Sequence, residues 1–399
     1  MTRDCHEKRM KKISKFVWAM LFIYLLFALN PSLRIHSMFW YSITVLTSLS
    51  LLINVFSIGR FKMNQYTWWL IIFIVWCGLS VYWALSQDTA LLSIKTTIAQ
   101  IIILVPLSML IRNRKEFNIV LKVLAGSITV TLFFLMLIVD KSTIGQTRLS
   151  AELWNANSIG IMAGISVLIY VYQITRVKPA IKIIYMIIIS FSVWTVLFSG
   201  SRKGLFILVA GVALYYYLNS QSKNIRTVLV VSALVFFSYY SIMNISTLYA
   251  VLGIRVEKMI SSFTGTGLGD SSTETRINMA KWGLLWFKEQ PLIGYGANNY
   301  RLLYSLVGRN TYAHNNYIEL LVGTGIIGLI IYYYMPFAVI RKFTAIIDKK
   351  DAMKTLFYVL FILIVVTDLG MVTYDDNLIQ LIICLGSAFM SKKSSAYET

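Results

Sequence analysis

Residues 186–218 read MIIISFSVWTVLFSGSRKGLFILVAGVALYYYL, two apolar runs joined by the short polar segment SGSRKG. An α-helix needs about 20 residues to cross about 30 Å of hydrocarbon, and each run comes close to that length when its flanking positions are included. The stretch therefore predicts two membrane-spanning helices with a tight, basic connection between them.

The rest of the chain repeats this pattern. It has 399 residues, of which 57% are hydrophobic, and a mean hydropathy of +0.69. This composition excludes a water-soluble fold and indicates an all-α polytopic membrane protein, a single integral membrane domain over residues 1–399. Several of the about twelve spans that we predict are short and must tilt or thin the bilayer. The predicted spans are Phe16–Leu29, Met38–Ser57, Thr67–Leu85, Ala90–Ile111, Ile119–Val139, Asn155–Tyr172, Ile181–Phe198, Gly204–Leu218, Thr227–Ile245, Tyr317–Ile340, Lys354–Val372 and Asn377–Met390.

The basic residues give the orientation. The formal net charge of +20 is distributed over short loops that alternate along the chain, which favours the positive-inside rule over nucleic-acid binding. The basic loops would share the cytoplasmic side with both termini, as expected for a multi-pass protein of the cytoplasmic membrane. They are Arg60 to Lys62, Arg112 to Lys115, Arg176 to Lys182, Lys223 to Arg226 and Arg341 to Lys354, with Lys8 to Lys15 and Lys392 and Lys393 at the two ends.

The first apolar run shows no small-residue cleavage site, because Asn30-Pro31-Ser32 follows it, so we predict an uncleaved first span. The three cysteines, Cys5, Cys77 and Cys384, imply neither a disulfide framework nor a thiolate metal site. No nucleotide-binding or metalloprotease motif appears, and we expect no cofactor and no metal.

One outward segment, residues 246–316, is much longer than the other loops, which have about 4 to 15 residues. Within it, Ser271 and Glu274 have the spacing of a capping box, and Pro291 marks a stop, which predicts a helix between them. Its mixture of aromatic, aliphatic and basic residues is typical of a helix in the membrane interface. A loop of this length usually carries function.

The outer face gathers positive charge at helix N-termini. Three predicted helices begin there, near Asn155, Ser201 and Asn316, and each N-terminus favours an anion through its unpaired N–H groups and dipole. Arg202 and Lys203 lie in the outward connection SGSRKG, where a basic pair gains nothing for topology. A phosphate-bearing lipid is the ligand that fits this set best, together with Arg148, Arg255, Arg276 and Arg309.

Structural roles remain open for these residues. Asn155 and Asn157 can be simple helix caps, and Arg202 and Lys203 can extend to lipid headgroups. Single interfacial arginines such as Arg255 are more often headgroup contacts than catalytic groups.

His314 precedes the predicted span that starts at Tyr317. The positive end of that helix lowers the pKa of the imidazole and keeps it neutral, the form that accepts a proton. A structural histidine bonded to a loop carbonyl is the alternative. For Glu319 we favour a capping box with Asn316 over catalysis. Inside the membrane, an ion pair between Lys95 and Asp368 is one way to offset their cost, and the acidic pair Asp375 and Asp376 is more often solvated than metal-binding.

Three outward motifs together carry a resemblance to a known family. The chain has SGSRKG before one span, WGLLWFKEQPLIGYGANNY late in the long loop and HNNYIELLVGTGIIG at the start of the next span, with a weaker match in RLSAELWNANSIG upstream. Their order and spacing resemble the O-antigen ligase and polymerase superfamily over residues 199–329. The first about 140 residues are similar to that family only in being apolar spans.

The resemblance implies an architecture and a set of roles. Members are glycosyltransferases of the GT-C type that act at the outer face of the inner membrane, without a metal, on a glycan linked to undecaprenyl diphosphate. Arg202 and Arg276 match arginines that hold the diphosphate, and His314 matches the histidine near the acceptor hydroxyl. The substrate-binding residues that we expect beside them are Lys203, Ser201, Asn157, Arg148 and Asn315.

The resemblance thus implies an inverting transfer of a lipid-linked oligosaccharide. We favour a polymerase of O-antigen, capsule or exopolysaccharide, with a chain-length regulator and a flippase as partners. An O-antigen ligase, which uses a lipid A core acceptor, is the main alternative, and a protein O-oligosaccharyltransferase is a further relative. A twelve-span transporter or a flippase would explain the topology but not the long outward loop.

Overall fold

The computed structural model describes residues 12–220, 225–264, 271–345 and 351–391, and these residues contain helices and two isolated bridges but no strand. Predictions that concern Cys5, Lys223, Lys392 and Lys393 lie outside the described residues. The α-helices are α1 Lys15–Leu29, α2 Pro31–Arg34, α3 Ser37–Ile58, α4 Gln65–Leu79, α5 Gln87–Leu110, α6 Arg114–Ile138, α7 Ala156–Ile174, α8 Pro179–Phe198, α9 Arg202–Asn219, α10 Ile225–Asn244, α11 Ser246–Leu248, α12 Ile254–Thr264, α13 Ser271–Glu289, α14 Tyr300–Ser305, α15 Asn316–Thr344, α16 Ala352–Thr367 and α17 Asn377–Met390.

The helices confirm a polytopic, all-helical membrane protein. Among the described residues, eight helices are long and apolar enough to cross a membrane: α3, α4 with the 3-10 turn that follows it, α5, α6, α7, α8, α10 and α15. The helices α1, α16 and α17 are apolar but shorter. A helix is present at every one of the twelve predicted positions. That all twelve cross the bilayer stays a prediction.

Side-chain caps explain where many of these helices begin. The side chain of Asn113 accepts a hydrogen bond from the backbone of Glu116, which reciprocates, so α6 starts with a complete capping box. Asn64, Ser201 and Asp376 accept backbone N–H groups in the same way at the starts of α4, α9 and α17. Each cap satisfies N–H groups that would otherwise lack a partner in an apolar environment.

The connections segregate to two ends of the bundle. At one end, Arg60 pairs with Glu116 at 2.7 Å and Arg114 pairs with Asp351, so three basic connections meet there. At the other end, Arg148 contacts the α8–α9 connection and Lys203 contacts the α16–α17 connection. The basic loops and the SGSRKG connection thus lie at opposite ends of the bundle, in agreement with the predicted alternation of basic loops along the chain.

The centre of the bundle is the pair α7 and α9. Gly160 and Gly204 face each other so closely that a Cβ on Gly204 would lie 2.6 Å from the carbonyl carbon of Gly160. Small residues let helix backbones approach in this way and gain dispersion contacts. The close crossing brings the N-terminus of α7, with Asn157, beside the N-terminus of α9, with Lys203.

The predicted span Tyr317–Ile340 is not one continuous helix. Although α15 as a whole is long and apolar enough to cross a membrane, it is broken at Gly325. This residue has φ 68° and ψ −173°, a conformation open to glycine, and its neighbours on both sides are helical. The chain reverses there, so the ring of Tyr317 stacks on Tyr333 at 4.5 Å although sixteen positions separate them. The segment 316–324 is therefore a short helix that packs against the first half of the segment 326–344.

The long loop is largely helical and packs on this reversal. The predicted helix is present as α13, and α14 packs beside it, with the hydroxyl of Tyr300 donating to the Met279 carbonyl at 2.8 Å. One face of α13 stays exposed, including Leu284 and Leu285 at 46% and 49%. The buried cluster that joins α13, α14 and segment 316–324 comprises Met279, Trp286, Tyr300, Leu303, Tyr304, Ala313, Ile318 and Val322.

The turn PLIGYGANNY connects α13 to the rest of the bundle. The N–H of Tyr295 donates to the Val322 carbonyl at 2.8 Å, and that of Ile326 donates to the Pro291 carbonyl at 2.9 Å. The turn therefore fixes both arms of the Gly325 reversal, and through it the position of His314.

Candidate functional site

Five separate chain segments meet at the end of the bundle that carries His314. They are the connection before α7, the SGSRKG connection before α9, the segment before α15, residues 370–376 between α16 and α17, and residues 298–301 at the start of α14. Arg148 links the first two, because its side chain donates to the Ser199 carbonyl at 3.1 Å and to the Asn157 amide oxygen at 3.0 Å. Lys203 links the second to the fourth by donating to the carbonyl of Gly370.

The cavity lined by Arg202, Lys203 and Arg276 measures about 480 Å³. We call it the cationic groove. Arg202 also donates to the backbone carbonyl of Arg255 at 3.2 Å, which orients its guanidinium. Apolar side chains complete the walls, namely Phe206, Met259, Ile277, Ala280, Val366 and Leu369. The groove thus combines cations with a lipid-like surface.

A second cavity of about 270 Å³ adjoins the groove, and we call it the His314 chamber. Lys203 lines both cavities, so the chamber and the groove lie on either side of this residue. The other lining residues are mostly polar: Asn155, Asn157, Ser158, Ile161, Asn298, Arg301, Tyr312, His314, Glu319, Met371, Val372, Tyr374, Asp375 and Asp376.

His314 is held in an uncommon backbone conformation, with φ 55°. Non-glycine residues adopt this region rarely and at some cost, and they often do so at functional sites. The ring lies 4.1 Å from that of Tyr312, centroid to centroid. Burial, followed by the charges of Arg276 and Lys203, lowers the pKa of His314 to about 4. The direction agrees with the prediction, and burial is its largest cause. The imidazole is neutral at physiological pH and can accept a proton.

Buried polar contacts fix the residues after His314. The side chain of Asn315 caps α15 by accepting from the N–H of Ile318 at 3.1 Å, and Asn315 also lines the cationic groove. The predicted capping box of Asn316 with Glu319 is therefore wrong. Glu319 instead accepts the N–H of Ala313 at 2.8 Å, which ties it to the residue before His314. This hydrogen bond gives one carboxylate oxygen of Glu319, Oε2, a structural role.

Asp368 has no ion pair with Lys95 within the described part of the chain. Its carboxylate accepts the hydroxyls of Tyr333 at 2.7 Å and Thr373 at 2.6 Å, and Asn316 contacts it at 3.4 Å. Neutral donors thus offset the cost of burying this acid. The same side chain of Asn316 accepts the N–H groups of Thr373 and Tyr374, so the chain around His314 is bonded to the 371–376 segment.

The remaining predicted residues divide into two groups. Arg148 is half-buried, and burial together with Arg255, Arg202 and Arg276 lowers its pKa to about 10, so it shares the positive region without lining either cavity. Asn157 lines the chamber. Ser201 is fully buried and caps α9 through Gly204, so we assign it a structural role rather than substrate contact.

Sequence reasoning missed several chamber residues. Asn298 lies in the turn after α13 and Arg301 at the start of α14, and nothing in their spacing distinguishes them from surface residues. The sequence predicts a solvated Asp375, yet this residue lines the chamber, and burial followed by the charge of Asp376 raises its pKa to about 6. The only available signal was the adjacency of two acids in a short turn beside an apolar helix.

The chain was compared with models of known protein families, and a part of it matches such a model. Residues 186–333 match the family described as O-Antigen ligase. This match confirms the resemblance to the O-antigen ligase and polymerase superfamily, and it includes Arg202, Lys203, Arg276 and His314. No curated protein matches the chain.

Proposed function

We propose that this membrane protein polymerises oligosaccharide repeat units that are linked to undecaprenyl diphosphate, at the outer face of the cytoplasmic membrane. The product would be a surface polysaccharide such as O-antigen, capsule or exopolysaccharide. The observation that carries the proposal is the position of Lys203, where a groove with cations and apolar walls adjoins a polar chamber that contains a neutral histidine.

The cationic groove suits the donor. A lipid diphosphate presents an apolar chain and two phosphates, and the groove offers Phe206 and Leu369 beside Arg202 and Arg276. Guanidinium groups bind phosphate oxygens in a bidentate manner and retain their charge. Because the leaving group is already stabilised by its phosphates, these cations can supply the charge neutralisation that the transition state requires without a metal.

The chamber suits the acceptor hydroxyl. In the proposed step, the acceptor oxygen attacks the anomeric carbon while the bond from that carbon to the diphosphate oxygen breaks and its electron pair leaves with the diphosphate. The hydroxyl proton passes to the imidazole of His314. A single displacement of this kind inverts the anomeric configuration, and a positioned base contributes about 10²–10⁴-fold to such a rate.

The alternative is an O-antigen ligase, which would transfer the same donor to a lipid A core sugar. The description of the matching family favours it. The sequence motifs SGSRKG and NANSIG are more typical of polymerases, and we retain the polymerase as the first proposal.

The deciding experiment is turnover by the purified protein with an undecaprenyl-diphosphate repeat unit as the only glycan. A ladder of polymer from the wild type, absent with His314→Ala and Arg202→Ala, is the expected result. Product that forms only after a core acceptor is added would establish the ligase. No product under either condition, with a normally folded protein, would overturn both and favour a transporter.

A further inference from the structure

The His314 chamber contains polar groups that the proposed chemistry leaves unused. Glu319 is 2% exposed, and while one of its oxygens accepts the Ala313 N–H, its Oε1 is buried with no hydrogen-bond partner among the described residues. The Nε of Arg301 is likewise buried without a partner. Buried polar atoms are almost always satisfied, so two unpartnered atoms on residues that line the same cavity point to this cavity as a place for a polar ligand.

The chamber also continues away from the cationic groove. A further cavity of about 410 Å³ extends from it towards α1 and α2, where Arg34 and Trp154 line the far end. The two cavities adjoin along a shared wall, and we call the two together the passage. That wall consists of Asn155, Ser158, Ile161, Met371, Val372, Asp375 and Asp376. Asp375 is therefore at the junction of the passage. Within the described part of the chain, the Asp375 carboxylate makes no hydrogen bond or ion pair to another side chain, whereas the Asp376 carboxylate caps α17.

We propose that Glu319 and Asp375 bind the hydroxyls of the acceptor's terminal sugar, with Arg301 donating to an adjacent oxygen, and that the acceptor glycan occupies the passage towards α1 and α2. This inference rests on the proposed function, since it names the acceptor subsite of the same centre. It makes these three residues determinants of acceptor specificity, distinct from the donor-binding arginines.

The chemistry of the lining favours a neutral sugar over other ligands. A sugar hydroxyl donates to a carboxylate and accepts from a guanidinium at once, and the passage offers both types of group. Asp375 and Asp376 lie on the wall that the two cavities share, so a phosphate or a uronic acid placed there would meet two acids in a cavity of low dielectric, where like charges repel strongly. An apolar ligand would leave these groups unsatisfied. The donor diphosphate is thus directed to the groove and the acceptor sugar to the passage.

The test uses a soluble acceptor, the repeat-unit oligosaccharide freed of its lipid diphosphate and fluorescently tagged at the reducing end. Its binding to the detergent-solubilised protein is measured first, and then its extension by the lipid-linked donor. We expect Glu319→Gln and Asp375→Asn each to weaken binding of the tagged glycan and to raise its KM about tenfold. The KM for the donor should remain unchanged. Glutamine retains an oxygen for the Ala313 N–H, so Glu319→Gln should keep the fold.

Asp140→Asn is the matched control. Asp140 is an exposed acid on the connection before α7, it bonds locally to Ser142, and it lines neither cavity, so its variant should bind and extend the glycan like the wild type. Unchanged glycan binding in both chamber variants would overturn the inference, and so would an equal loss for donor and acceptor. Glycan binding that depends on Glu319 and Asp375 without any turnover would support the subsite and reject the glycosyl transfer, which separates the two failures.

Discussion

The backbone N–H of Asn316 donates to the carbonyl oxygen of Asp368 at 2.8 Å, so the residue two positions after His314 is bonded to the end of α16. The Asp368 carboxylate reinforces this bond by accepting the hydroxyls of Tyr333 and Thr373. Asp368→Ala would leave these buried donors unsatisfied and should lower the free energy of unfolding by about 3 kcal/mol. Thermal unfolding in detergent measures this loss. Asp140→Ala, at an exposed acid, should change it by less than about 0.5 kcal/mol; equal effects would contradict the assignment.

His314→Ala should reduce the turnover rate about 100-fold or more, since it removes the proposed base. Binding of the lipid-linked donor should change little, because the arginines that hold it remain. Single-turnover kinetics and a donor-binding titration separate the two quantities. A variant that turns over within a few-fold of the wild type would exclude His314 as base.

Arg276→Ala should raise the KM for the donor and lower the turnover rate, since its charge acts on the diphosphate in both the ground and transition states. Arg276→Lys should restore part of the binding and less of the rate, because an ammonium lacks the bidentate geometry. Arg309→Ala is the control, because Arg309 is an exposed arginine between α14 and α15 that lines neither the groove nor the chamber. Losses of equal size at both positions would indicate a general effect of charge.

The pH dependence should show the low pKa of His314. A base is active when neutral, and with a pKa of about 4 it stays neutral as the pH falls from 7 to about 5. Protonation of His314 should therefore leave kcat/KM unchanged over this range and lower it as the pH approaches 4. Asp375, with a pKa of about 6, faces the same chamber, so the profile is also measured in Asp375→Asn.

The variant Lys203→Met tests whether the acidic limb of the pH profile belongs to His314. Removing its positive charge should raise the pKa of His314 and move the acidic limb to higher pH, whatever happens to the maximal rate. An acidic limb that does not move in Lys203→Met would contradict the assignment. So would a limb centred near 6.5 that persists in both Asp375→Asn and Glu319→Gln, because these acids have pKa values of about 6 and 7.

Gly204→Ala should destabilise the protein by about 1–3 kcal/mol, because the new methyl group would overlap the backbone of Gly160 and force α7 and α9 apart. Gly126→Ala is the matched control in α6. Its Cβ would meet only Phe22, at an ordinary 3.5 Å, and alanine is the better helix former, so this variant should be neutral or slightly more stable. Thermal unfolding of the two variants compares them directly.

Much of this protein can be predicted from local sequence. Apolar runs predict the helices, since burial of backbone polar groups leaves a spanning segment few other choices, and the observed helix α17 has the predicted bounds. Basic loops predict the orientation, and the SGSRKG and HNN motifs predict which residues belong to the centre. These features depend on a residue's immediate neighbours.

Tertiary structure decides what those residues contact. The reversal at Gly325 turns a predicted span into two helices, because a single φ of 68° together with the turn at Pro291 outweighs an apolar pattern that permits a straight helix. Segments that are far apart in the chain supply the partners of Asp368. They also place Arg301 at the chamber and enclose the second cavity beyond Asp375. Burial of a polar side chain such as Asp368 costs free energy unless other groups bond to it, and the fold brings those groups together from distant parts of the chain. The linear sequence does not specify the distances between them.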